Sequence, residues 1–542
     1  MKHRGPDGTR IARMDDFSLA FTRLAIIDLS DNAMQPMFSE DYKVGIVFNG
    51  EIYGFTKLRN ILIKRGYKFR STSDTEVILN AYLEWGEHFI TKIDGMYGIA
   101  ILDKRDGTVK LFRDRMGIKP LYYYYDGTNF GFASELKGIV NMCNTISFQI
   151  DNSAVYDYLN YLYIPDPKTY YKKIYKLQPA HRLTFDIKSQ KILKNGSYWK
   201  LNVNEQKGSQ RNQKELIEEL RYLMRESVKE QMMADVPVGT FLSGGVDSSI
   251  ITYESGRINS DIETFSIGFT DAQYDESRYA LMLAKQYNIS NNLHVFQKDI
   301  LNQNYDKLKL WYDEPFADTS AFPTYLVSGI ARKKVTVVLT GDGGDEIFGG
   351  YPRYTMLQKK EFQQGHIRQL LERLLIKCIF DFPCGLQWED GIHFLQRTSN
   401  FPLKTDDKTL RKQLKIDKYY DKFWAIRKNY RVDLPPVTRA QFVDIKTYLP
   451  GDILTKVDRA SMAVSLETRV PFLDKRIVEF AFSLSEDDRC PNGECKGLLK
   501  KAYEQEVGKE ILYRPKKGFS IPRGFFSMRK SPQEDILKKI WT

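Results

Sequence analysis

The chain has 542 residues, 42% hydrophobic and 28% charged, an ordinary balance for a globular enzyme but too much chain for one core, so several domains are expected. Its formal charge of +12 comes from 81 basic residues scattered among 69 acidic ones with no RNA-binding signature, so the expected surface favours anionic nucleotides and takes no nucleic-acid partner. No run reaches the length of about eighteen apolar residues that a membrane helix needs, and no apolar signal core follows Met1-Lys2-His3-Arg4-Gly5-Pro6, so a cytoplasmic protein without a membrane partner is expected.

Up to about residue 130 the chain is β-rich and punctuated by turns. Phe17–Phe21, Leu24–Ile27, Lys43–Phe48, Met96–Leu102 and Val109–Phe112 read as strands, and Phe55–Arg65 and Thr75–Glu84 carry helical spacing. Strands and helices in blocks predict a layered α+β domain. Residues 135 to 200 read as a connecting region, in which Asn195-Gly196-Ser197 is a turn. The polar stretch Asn202 to Gln213 places a domain boundary there, dividing the chain into 1–200 and 210–542. The five cysteines, Cys143, Cys378, Cys384, Cys490 and Cys495, form no C-x-x-C pair and no metal-ligand spacing, so reduced, partly buried thiols are expected.

From Lys214, the spacing of Leu216, Leu220, Leu223 and Met224 predicts a helix leading into the apolar run Val238-Gly239-Thr240-Phe241-Leu242. Next comes Ser243-Gly244-Gly245-Val246-Asp247-Ser248-Ser249, the turn between that buried strand and a helix over Ile250 to Arg257. Two glycines let the backbone approach an anion, three serines supply hydroxyls, and the helix points its unpaired N–H groups at the same place. The loop therefore reads as a phosphate cradle. It lacks the lysine of a Walker A loop and carries Asp247 instead, and a carboxylate beside phosphates implies Mg²⁺ as well as nucleotide. Beyond it, strands over Glu263–Phe269, Asn292–Phe296 and Lys334–Leu339 alternate with a helix over Ser277–Tyr287, predicting an open parallel sheet whose ligands bind at the carboxyl ends of its strands. Thr340-Gly341-Asp342-Gly343-Gly344-Asp345-Glu346 lies at another such end and fits metal, ribose or adenine contacts at the rim of the same cleft. Tyr351 to Tyr448 reads as helices decorating the sheet.

Several ordered motifs carry a resemblance. S-G-G-x-D-S is similar to the pyrophosphate loop of N-type ATP pyrophosphatases. His3–Gly8, Arg23–Asp28, Phe48–Tyr53, Ser73–Glu76 and Asp114–Tyr122 resemble the glutaminase half of glutamine-hydrolysing asparagine synthetases. Asp313–Ala321, Leu449–Ala463, Glu467–Asp474, Lys496–Ala502 and Arg514–Pro522 resemble their synthetase half, so the likeness covers nearly the whole chain. The resemblance implies an N-terminal-nucleophile αββα sandwich, truncated at its first strand, followed by an α/β parallel-sheet ATP-pyrophosphatase domain of the adenine nucleotide alpha-hydrolase type. It implies glutamine recognition by Arg23, the Asn49-Gly50-Glu51 turn and Asp74. It assigns ATP to Leu242, Ser243, Gly244, Gly245, Asp247, Ser248, Ser249, Ile267, Thr340, Gly341 and Asp342, Mg²⁺ to Asp247 and Asp345, and catalysis to Lys496 and Asp345. The chemistry agrees, since a guanidinium suits an α-carboxylate and carboxylates suit an α-ammonium.

One departure stands against these matches. The family begins Met-Cys-Gly-Ile-Ala, and its exposed cysteine attacks glutamine. Here Met1-Lys2-His3-Arg4 opens the chain and no cysteine precedes Cys143, so no glutamine hydrolysis by this chain is expected. The implied reaction is ATP-dependent amidation of aspartate through β-aspartyl-AMP, drawing on free ammonia in place of glutamine. Amidation of another carboxylate, such as a uronic acid of a surface polysaccharide, stays open, and so does a homodimer. A tRNA-modifying enzyme and a degenerate nucleotide-binding regulator fit the motifs less well.

Overall fold

The computed structural model describes residues 1–14, 17–142, 146–203, 212–271, 275–296, 310–358 and 407–516. The expected boundary stretch falls largely on residues 204–211, outside the described residues, as do Cys143, Cys378, Cys384 and the tail from residue 517.

The N-terminal strands are β1 (Gly8–Met14), β2 (Phe17–Arg23), β3 (Met37–Phe38), β4 (Val44–Tyr53), β5 (Asp94–Asp103), β6 (Thr108–Arg113), β7 (Tyr122–Tyr125), β8 (Phe130–Ala133), β9 (Ile174–Lys176), β10 (His181–Asp186) and β11 (Lys191–Ser197). Six of them form an antiparallel sheet in the order β11-β10-β6-β5-β4-β3. Alternation along β4 and β5 sends Val44, Ile46, Phe48, Ile99 and Ile101 to one face, where they meet Leu62, Val77, Ile78 and Ala81 of the helices Phe55–Lys64 and Asp74–Trp85. The opposite face sends Val47, Ala100, Leu102 and Leu111 against Leu121, just before β7, and Tyr123 of the second sheet, β8-β7-β9. A helix over Leu136–Met142 covers that sheet's far side through Leu136 and Ile139. The layers thus run helix, sheet, sheet, helix.

The C-terminal half holds β12 (Val238–Phe241), β13 (Glu263–Phe269), β14 (Ser290–Phe296), β15 (Val337–Leu339) and β16 (Glu467–Arg469), every neighbouring pair parallel, in the order β14-β13-β12-β15-β16. Central placement of β12 brings the carboxyl ends of β12, β13 and β15 to one rim. Leu216, Leu220, Met224 and Val228 of the helix Gln213–Gln231 bury against Ile250 and Ile251 of the helix Val246–Ile258.

Four expectations need correction. Asn195-Gly196-Ser197 is not a turn but the end of β11, where it pairs with Leu183, Arg182 and His181 of β10. Leu24–Ile27 is not a strand: the Asp7 carboxylate accepts the Ala25 N–H at 2.8 Å and Asp235 N–H donates to the Ile26 carbonyl at 2.9 Å, so side chains and the other half of the molecule replace a ladder. The strand expected over Lys334–Leu339 is only Val337–Leu339, because Arg332, Lys333 and Lys334 close a turn whose carbonyl partners lie in the preceding helix. Residues 135–200 are not merely a connector, since β10 and β11 extend the six-stranded sheet.

The halves meet through buried charge. Arg4 donates to both carboxylate oxygens of Asp458 at 2.7 and 2.8 Å and to Glu135 at 3.1 Å, while Arg459 reaches Glu135 at 2.8 Å and Asp313 at 3.2 Å.

Candidate active site

β12 delivers the chain to Ser243, and the helix Val246–Ile258 leaves from Gly245, aiming its N-terminus at the mouth of the turn. The hydroxyls of Ser243 and Ser248 lie 2.9 Å apart, and Gly245 N–H donates to Ser243 Oγ at 3.3 Å, which holds the turn closed. Gly244 has φ +72, and a Cβ there would meet the Ala280 nitrogen at 2.7 Å, so only glycine fits the bend. Thr340–Gly343 follows β15, opens the short helix Gly344–Phe348 and lies against this turn, since a Cβ at Gly341 would meet Asp247 Cβ at 2.6 Å.

A cavity of about 570 Å³ occupies the rim. Leu242, Ser243, Gly245, Asp247, Ser248, Ile267, Thr340, Gly341, Asp342, Asp345 and Lys496 all line it. Two expected residues stand apart. Ser249 is fully buried in the helix and faces the core, and Gly244 turns its carbonyl to the Arg514 guanidinium at 3.0 Å without lining the cavity.

Lys496 sits between two carboxylates, bonded to Asp247 and 2.5 Å from Asp345 Oδ1. Its own backbone is left-handed at φ +57, a costly geometry for lysine that puts the ammonium in place at the start of the helix Gly497–Ala502. Burial works against the Lys496 charge, but Asp247 and Asp345 outweigh it and hold the ammonium well above the ordinary lysine range. For Asp345, burial is likewise outweighed, by Lys496 and Lys516, and its carboxyl is held below the usual range. Asp247 goes the other way: burial raises it, and Lys496 offsets this only in part because Asp345 stands beside it. Neighbouring Glu346 is pushed up to about 7 by burial and then by Asp345, with Tyr351 Oη donating to it at 2.6 Å.

The cavity also has walls that the sequence motifs do not assign: Asp318, Tyr351, Lys456, Lys500, Arg514 and Lys516. Arg514 and Lys516 belong to the Arg514–Pro522 motif, and their excess positive charge is the signal that marks them in the sequence.

A second cavity, of about 520 Å³, gathers Arg23, Asn49, Gly50, Glu51 and Asp74. Arg23 Nη1 donates to the Ser30 carbonyl at 2.9 Å and Asp74 accepts from Ile52 N–H at 3.0 Å. Burial raises the Glu51 and Asp74 carboxyls; Asp74 raises Glu51 further, while Arg469, 3.3 Å from Glu51, opposes the rise. Glu467 of β16 lines this cavity, and the Arg469 carbonyl accepts the Thr340 N–H at 2.9 Å, so one short strand stands between the two sites.

Comparison with known sequences matches residues 219–540 to the asparagine synthase family and residues 1–199 to a glutamine amidotransferase domain. An asparagine synthetase [glutamine-hydrolyzing] 1 of Bacillus subtilis is 36% identical over 531 residues, covering 96% of this chain and 82% of the relative. The chain belongs to the glutamine-hydrolysing asparagine synthetase family. Other relatives of this family include a putative asparagine synthetase of Methanocaldococcus jannaschii, 39% identical over 391 residues with 68% of this chain and 74% of the relative covered. A putative asparagine synthetase of Mycobacterium bovis is 32% identical over 546 residues, with 96% and 83% covered. The layered N-terminal half is the family's N-terminal-nucleophile amidotransferase fold, and the C-terminal half its adenine nucleotide alpha-hydrolase fold.

Proposed function

We propose that the protein amidates aspartate to asparagine with ATP, through β-aspartyl-AMP, with residues 1–200 as the glutaminase-type domain and 210–542 as the adenylating domain. The observation that carries this reading is the meeting of Ser243, Asp247, Asp345 and Lys496 in one cavity at the ends of parallel strands. Ser243 and Asp247 share one turn, Asp345 and Lys496 come to it from distant segments of the chain, and a nucleotide cradle is what their chemistry has in common.

In the adenylation step a carboxylate oxygen attacks the α-phosphorus and pyrophosphate leaves. Ser243, Gly245 and Ser248 hold the departing pyrophosphate through hydroxyl and backbone donors. Lys496 neutralises charge building at phosphorus, and its geometry between two carboxylates allows it to turn toward phosphate oxygens without becoming uncharged. Ile267, Thr340 and Gly341 provide the wall for the adenosine. Ammonia then displaces AMP.

Asp247 and Asp345 suit Mg²⁺. Asp247 Oδ1 is buried with no hydrogen-bond partner, and Mg²⁺ is ordinarily held by one or two carboxylates together with substrate phosphates. Two carboxylates leave the rest of the ion's shell to substrate phosphates and water, the usual arrangement for Mg²⁺. When bound, the ion supplies charge neutralisation on those phosphates.

Arg23, Asn49, Gly50, Glu51 and Asp74 are proposed to receive glutamine, with the guanidinium on the α-carboxylate and the two carboxylates on the α-ammonium. A polypeptide of residues 1–542 has no cysteine before Cys143 and is proposed to draw on ammonia when tested alone.

The test is pyrophosphate release with aspartate, Mg²⁺ and ATP. Lys496→Ala is expected to lose at least roughly a hundredfold in rate while still folding cooperatively. Near-normal release by that variant defeats the assignment. Ammonium, and not glutamine, is expected to support asparagine formation by residues 1–542; comparable turnover with glutamine refutes that part alone.

A further inference from the structure

Among the described residues five cations line the nucleotide cavity, and four are engaged at hydrogen-bonding range. Lys496 holds Asp247 and Asp345, Lys516 also holds Asp345, Lys500 holds Glu494, and Arg514 holds Glu276 and the Gly244 carbonyl. Lys456 differs. Its side chain is 9% exposed and its Nζ lies 3.8 Å from Asp318 Oδ2 and 3.8 Å from Asp342 Oδ1, both beyond a hydrogen bond, and among the described residues it donates none. Its charge is nonetheless secure: burial disfavours it, but Asp318, Asp342, Asp452 and Glu346 together raise the lysine above its ordinary value.

The backbone sets the position of this ammonium. A π-helical turn over Leu449–Ile453 runs directly into the helix Leu454–Met462, and Tyr448, Ile453, Lys456 and Val457 of this stretch line the cavity. Opposite, the Ser320 N–H and hydroxyl both donate to Asp318 Oδ1, at 2.7 and 2.6 Å, which fixes that carboxylate and leaves Oδ2 facing Lys456. The pattern is one cation with unused donors flanked by two carboxylates.

We propose that Lys456 is a specificity-determining residue of this cavity, its ammonium binding the α-carboxylate of the acceptor while Asp318 and Asp342 receive the acceptor's α-ammonium. An acceptor that carries both groups on one carbon satisfies Lys456 and its flanking carboxylates together, whereas a sugar acid offers no ammonium and leaves them facing each other. This rests on the adenylating reading above and names the residues that would hold its acceptor.

The experiment compares L-aspartate with 3-aminopropanoate, which keeps the amine and the carboxylate to be activated but lacks the α-carboxylate. Pyrophosphate release by the full chain with Mg²⁺ and ATP gives kcat/KM for each acceptor. The parent protein is expected to favour aspartate strongly. Lys456→Met is expected to shrink that preference by roughly 10- to 100-fold, chiefly through the KM for aspartate, with the KM for ATP little changed. Lys456→Arg is expected to restore much of the preference. A merely structural lysine would lower both acceptors equally and leave their ratio in place, and an unchanged ratio in Lys456→Met overturns the proposal. If Lys456→Met does not fold, a ratio near one in the parent protein, or equal preference in Lys456→Arg and Asp318→Asn, overturns it as well. Absence of any aspartate-dependent pyrophosphate release by the parent protein overturns the adenylating reading itself, and this inference with it.

Discussion

A Cβ at Gly350 would overlap both the Asp345 carboxylate and Lys496 Cε, so the backbone passes closer to the two charged groups than any other residue allows. Gly350→Ala is expected to push Lys496 out of line and reduce pyrophosphate release by roughly a hundredfold, since displacements of about 1 Å near the reacting centre carry penalties of that order. Activity within a few-fold of the parent would show that the contact is not needed. Glu346 offers a pH test. Its proton is held to about 7 in the folded protein against an ordinary 4.5, so between those values the folded state binds more protons than the unfolded chain. Stability must therefore fall as pH rises through that window, by up to about 3 kcal/mol. Glu346→Gln removes this group's part of the decline, and urea denaturation near pH 5 and near pH 8 measures it. An unchanged pH dependence in Glu346→Gln contradicts the assigned protonation.

The strands that carry the site are short, and their burial does most to hold them. Leu339 of β15 is fully buried and leads directly into Thr340, so Leu339→Ala is expected to destabilise the protein by about 3 kcal/mol. A loss below about 1 kcal/mol in denaturant titration would mean that β15 is not a central strand. Short apolar runs make β12 and β15 legible in the amino-acid sequence, and the alternation of Phe265, Ile267 and Phe269 does so for β13; a Ser/Gly turn after β12 marks the loop. The same logic misleads at Leu24–Ile27, where apolar residues are held by Asp7 and Asp235 instead of a neighbouring strand. Motifs locate Ser243, Asp247, Asp345 and Lys496 because local spacing and family likeness both mark them. Lys456 is harder to assign from sequence, because its meaning depends on Asp318 and Asp342, which reach it only through the tertiary fold.

Over the whole molecule, the Arg4, Glu135, Asp458 and Arg459 cluster joins the two halves in a buried interface. Removing one partner from such a cluster leaves uncompensated charge, so Asp458→Asn is expected to cost about 3 kcal/mol and to separate one thermal transition into two. A single unshifted transition would contradict a coupled interface. β16 adds a second link, with Glu467 at the N-terminal cavity and the Arg469 carbonyl on Thr340 at the other. The central claim, activation of a carboxylic acid as its adenylate, has a direct isotopic test. Aspartate labelled with oxygen-18 in its side-chain carboxylate is supplied with ATP, Mg²⁺ and ammonium, and the products are weighed by mass spectrometry. The account requires AMP carrying one heavy oxygen beside unlabelled pyrophosphate; ADP with the label in orthophosphate, or unlabelled AMP, would contradict it.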